Sequence, residues 1–89
     1  LGMGRGRNRM RTIILPKTIR LFKRVRPDGS LLARAGFTAE AGVELEVGPV
    51  EVMVYDHMVK AVVSFQCKIC PEIHYILVEE TGLSSVLTN

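Results

Sequence analysis

The chain has 89 residues, 47% of them hydrophobic, which excludes an intrinsically disordered protein and leaves room for one domain with a thin core. Its charge is split by position: residues 1–34 hold ten Lys and Arg against Asp28 alone, whereas residues 35–89 hold Lys60 and Lys68 against eight acids. A basic leader on an acidic body implies an anionic partner, most often nucleic acid, and identifies no reaction.

Residues 1–11 read Leu-Gly-Met-Gly-Arg-Gly-Arg-Asn-Arg-Met-Arg, a composition that cannot bury a core and predicts a flexible basic arm. If the arm is extended, alternation puts Arg5, Arg7, Arg9 and Arg11 on one side. Thr12–Leu15 favours a strand that Pro16 ends. The segment from Lys17 to Val25 fits two periods. Ile19 and Phe22 lie three apart and Leu21 and Val25 four apart, as on a helix with proline in its first turn. The same residues also place Ile19, Leu21 and Val25 on one face of a strand, and a short helix is the favoured expectation.

Pro27-Asp28-Gly29 is a turn: proline presets φ, aspartate bonds its own backbone, and glycine accepts positive φ. Apolar residues 30–37 follow, punctuated by Gly36 and Gly42. Val43–Val47 alternates as a half-buried strand, and Gly48-Pro49 turns the chain. Val50–Tyr55 alternates again, with Val50, Val52 and Val54 on one face and Glu51, Met53 and Tyr55 on the other. Asp56-His57 fits a tight turn into a returning strand, Met58–Phe65. The stripe Met53, Tyr55, Met58 and Phe65 is read as completing a core or a dimer interface. Ile73–Val78 is apolar enough for a strand buried on both faces.

The expected fold is therefore mainly β, a small barrel or sandwich-like sheet of five to seven short strands with at most one or two short helices. Residues 1–11 form the arm, 12–81 the domain and 82–89 a loose tail. The apolar run of Thr12–Leu15 falls short of the roughly 7–15 residues of a secretory core, and no stretch approaches the ~18 of a membrane span. A soluble cytoplasmic protein is expected.

The candidate nucleic-acid ligands are Arg5, Arg7, Arg9, Arg11, Lys17, Arg20, Lys23, Arg24 and Arg26, with Arg34 beyond them. Guanidinium groups suit forked contacts to phosphate, and each neutralised phosphate makes binding more salt-dependent. The bland alternative is that these cations fold onto the chain's own acids, such as Glu40, Glu44, Glu46 and Glu51, or onto those of a partner subunit.

Cys67-Lys68-Ile69-Cys70 is a single CxxC knuckle, which supplies two of the four ligands of a tetrahedral Zn²⁺. His74 is a candidate third ligand and His57 a fourth, or two chains could share one ion. Ordinary thiols and a structural disulfide are the competing readings. No nucleophile elbow, phosphate loop or dinucleotide fingerprint is present, and neither histidine adjoins a nucleophile and an orienting acid, so no enzyme is expected.

The run Ile13-Ile14-Leu15-Pro16-Lys17-Thr18-Ile19-Arg20, followed by Val25-Arg26-Pro27-Asp28-Gly29-Ser30-Leu31-Leu32, resembles the AbrB-type swapped-hairpin regulators and related antitoxins. The resemblance implies an interleaved homodimeric β-barrel that binds DNA, with Lys17 and Arg20 on the family's motif and Arg11 just upstream. It covers about twenty residues. The sequence departs from the pattern in its Gly-Arg arm, in Asp-Gly at the turn, and in Arg24 where a glycine normally ends the helix. The expected function is a small nucleic-acid-binding protein, a homo-oligomer that recruits DNA or RNA through the basic segment. The alternative is a non-enzymatic assembly module, with or without zinc.

Overall fold

In a computed structural model, which describes residues 10–67 and 71–88, the chain is mainly β. Seven strands share one sheet: β1 (Arg11–Ile14), β2 (Ile19–Arg24), β3 (Leu32–Ala39), β4 (Glu44–Val47), β5 (Glu51–Tyr55), β6 (Met58–Gln66) and β7 (Ile73–Leu77). Two one-turn helices follow, α1 (Val78–Thr81) and α2 (Ser84–Leu87). The strand order is β1-β4-β6-β7-β2-β3, all antiparallel, with β5 also paired to β6. Among the described residues, no helix is long and apolar enough to cross a membrane.

The sheet curls until Leu31, just before β3, makes one parallel bridge to Val54 of β5, where the Val54 amide donates to the Ser30 carbonyl at 2.7 Å. One bridge does not close a ladder, so the sheet stays open and the expected barrel is not formed. Both faces of the sheet are apolar. Phe22, Leu32, Met53, Val62, Tyr75 and Leu77 pack on one, with Tyr55 against them. Ile19, Leu21, Val63, Phe65 and Ile76 pack on the other, joined by Ile13 of β1, Val47 of β4 and Leu87 of α2. The strand period explains the division, since neighbours such as Val62 and Val63 point to opposite faces.

The helix expected over Lys17–Val25 is a strand, and β2 stands where the AbrB-type resemblance implies a short helix. Between β7 and β3 this segment is flanked on both sides. Alternation sends Ile19 and Leu21 to one cluster and Phe22 to the other, whereas a single helical stripe would have served only one. Opposite Leu21 the register slips by two residues, and the surplus in β3 bulges at Gly36, whose φ of +93° is strained for any residue with a Cβ. The segment from residue 82, read as loose in the sequence, contains α2, and its Leu87 is 3% exposed.

Asp56 and His57 join β5 to β6 with φ of 54° and 64°. Two successive left-handed residues make the type I′ turn that matches strand twist, and Asn-Gly is its best occupant. Asp56→Asn with His57→Gly is expected to stabilise the domain by ~1 kcal/mol, read as a melting-temperature rise of about 4–8 °C. A lower melting temperature would mean that the native side chains make contacts outweighing the backbone cost.

Candidate nucleic-acid interface

The nine predicted cationic ligands fall into three groups. Arg5, Arg7 and Arg9 lie outside the described residues. Arg11, Arg20 and Arg24 are engaged within the fold. Lys17, Lys23 and Arg26 are exposed.

Arg20 and Arg24 each lie two residues from Phe22 on β2 and therefore share its face. The Arg20 guanidinium lies 5.2 Å from the Phe22 ring centroid and 5.8 Å from that of Tyr55. It forks onto Glu80 of α1, with Nε donating to Oε2 at 3.1 Å and Nη2 to the same oxygen. The Glu80 carboxylate holds the Arg20 pKa above its ordinary value. Both side chains are partly exposed, so the pair contributes about 0.2–1 kcal/mol, with its forked geometry favouring the upper end.

Arg24 donates to the Tyr75 hydroxyl from Nη2 at 2.8 Å and from Nε at 3.1 Å, and from Nη1 to the Gly29 carbonyl. Glu51 stands 3.6 Å away. The Tyr75 hydroxyl, ahead of Glu51, raises the Arg24 pKa. Arg11 donates from Nη1 to the carbonyls of Val86 at 2.7 Å and Leu87 at 3.2 Å, satisfying groups at the C-terminal end of α2. These three arginines tie β1 and β2 to the helices, to β7 and to the turn before β3. Of the acids the sequence offered as counter-ions, Glu51 is used, whereas Glu80 was not anticipated because nothing in the local pattern brings residue 80 to residue 20. Lys60 pairs with Glu79 at 3.0 Å.

The remaining cations form a different set. Lys17 is in the bend after Pro16, Lys23 is near the end of β2, Arg26 opens the turn, and Arg34 is on β3. All four are exposed, and none has a carboxylate within ion-pair distance among the described residues. Arg26 is held in place by its backbone, since its carbonyl accepts the Gly29 amide at 3.0 Å and the Val25 amide reaches the Leu31 carbonyl at 2.9 Å. A shallow open depression beside it is lined by Lys23, Arg24, Pro27, Glu72, Ile73 and Tyr75. The exposed acids Glu44 and Glu46 stand on β4, away from β2 and β3 in the sheet order.

Of the predicted zinc ligands, Cys70 lies outside the described residues. Cys67 is half-buried after β6, and its amide donates to the Glu72 carbonyl at 3.3 Å. His74 is 2% exposed, edge-on to Phe37 at 5.1 Å and tilted over Phe65 at 6.2 Å. Its Nε2 is 3.9 Å from Glu72, and its Nδ1 is buried without a hydrogen-bond partner among the described residues. His57 is at the β5–β6 turn. Among the described residues, no three His, Cys, Asp or Glu side chains gather closely enough to hold a metal ion. The chain matches no protein-family model, no curated protein and no solved structure.

Proposed function

We propose that the protein binds nucleic acid through phosphate contacts from Lys17, Lys23, Arg26 and Arg34, extended by the arginines of the leader. One observation carries this reading. Among the described residues, cations with a carboxylate partner are Arg20, Arg24 and Lys60, whereas the four exposed, unpaired ones all come from residues 17–34. Internal pairing spends Arg20 and Arg24 on the fold and leaves these four, spread from the bend before β2 to β3, as uncompensated positive charge. The leader that precedes them adds Arg5, Arg7 and Arg9 with no acid. Phosphate is the partner that such exposed, unpaired cations fit, and base-edge recognition is not required for it. No stacking platform is needed either, in keeping with the 6% aromatic content.

The test is a shift titration with short duplex DNA and single-stranded RNA at two ionic strengths. Four neutralised phosphates predict an affinity loss of about 10²-fold between 50 and 200 mM salt. Lys23→Ala with Arg26→Ala is expected to lower the salt slope by about two and to weaken all sequences alike. Affinity unmoved by salt or by these substitutions would overturn the reading. Arg20→Ala serves as the contrast, because its predicted effect falls on stability.

A further inference from the structure

Among the described residues, the apolar face that carries Val63 and Ile76 is covered over only part of its extent. On β6, Val59, Ala61 and Val63 project from this face. Val63 is 0% exposed within the cluster that β1, β4 and α2 complete, Ala61 is half-buried against that cluster, and Val59 is 69% exposed. Across the ladder, Val52 pairs with Ala61 and Val54 with Val59, and Val52 is 65% exposed. Leu31, bridged to Val54, continues the surface at 47% exposure. The result is an aliphatic plane of Leu31, Val52, Val54, Val59 and Ala61 that begins where the chain's own cover ends. The neighbouring charges Glu51 and Lys60 pair with Val62 and Met53 and so belong to the opposite face.

We propose that this plane is a homodimer interface, packed against the same plane of a second copy. Its exposed area is on the order of 400 Å², the size of the largest contiguous apolar patch on a typical monomer, and such patches are often functional. Two such planes and their rims reach the ~1,000 Å² at which a specific interface begins. The plane carries no charge and β-branched side chains dominate it, so a polyanion finds no contact there. A second copy offers the matching flat β surface, stacked as two sheets stack, with the self-complementarity a two-fold axis imposes. None of the four unpaired cations belongs to this plane, so the interface is independent of nucleic-acid binding.

Sedimentation equilibrium of the full chain across micromolar concentrations tests it. The wild type is expected to dimerise, and Val52→Lys with Val59→Lys to sediment as a monomer. Val52→Ser with Val59→Ser, which adds no charge and alters side chains already exposed in the single chain, is expected to weaken the dimer at least about tenfold while keeping the circular dichroism spectrum. Lys23→Ala with Arg26→Ala is expected to leave the dimer intact, which separates this test from that of the proposed function. A wild type that stays monomeric, or a dimer equally tight in the serine variant, would overturn the proposal.

Discussion

Replacing Phe22 with alanine is expected to cost about 3–5 kcal/mol, the largest single loss available on β2. Phe22 is 0% exposed and forms the single ladder pair between β2 and β7, opposite Tyr75. That pair, with the Leu31–Val54 bridge, joins the β2–β3 hairpin to the rest of the sheet. Its ring meets Tyr55 edge-on at 4.8 Å and lies beneath the Arg20 guanidinium. Truncation therefore removes buried area, an aromatic contact and a cation–π contact together, and it leaves a cavity that a curled sheet cannot easily collapse. A domain of this size holds ~5–15 kcal/mol in total and tends to the lower end, so the variant should lose half or more of its stability. Urea unfolding reads this as a fall in midpoint at unchanged slope. A cost under about 1 kcal/mol would mean that the cluster around Met53, Val62 and Leu77 does not depend on Phe22.

Phe22 also shows where sequence reasoning reached its limit. β4 and β5 were legible because turn chemistry and period two agree there, β6 as the return from the Asp56-His57 turn, and β7 as a continuous apolar run. Gly48-Pro49 and Asp56-His57 bracket β5, whose alternation is unbroken. In the segment from Lys17 to Val25, helical spacing and strand alternation both fit the same apolar residues. The choice is made by β3 and β7, which lie outside it. Alternation also could not say which face of β5 is covered: Met53 is 2% exposed, whereas Val52, with the more apolar neighbours on its face, is 65% exposed. That outcome depends on how far β1, β4 and α2 extend, a tertiary fact. Of the candidate site, the position of the positive charge was legible, but its division was not. Arg20 and Lys23 are both cations on one strand, and only the arrival of Glu80 from α1 separates a structural guanidinium from an available ammonium.

The same dependence on distant contacts governs the C-terminal segment, where Leu87→Ala is expected to cost about 2–5 kcal/mol and Val86→Ala less than about 0.5. A four-residue helix has no stability of its own, because nucleation outweighs one turn of hydrogen bonds. α2 forms because the surroundings specify it. Gly82 ends α1 in the left-handed conformation at φ 73°. The Thr81 hydroxyl, fully buried, donates to the Val78 carbonyl at 2.7 Å and accepts the Leu83 amide at 2.9 Å, which sets the path into the next turn. Arg11 then takes up the carbonyls of Val86 and Leu87, and Leu87 enters the cluster of Ile13, Leu15 and Ile19. Val86, one residue earlier, is 55% exposed and enters no cluster. Urea midpoints of the two alanine variants measure the difference directly. Equal, small shifts would mean that residues 84–87 do not cover the core, and Ile13 and Leu15 would then have to be shielded from water by another element.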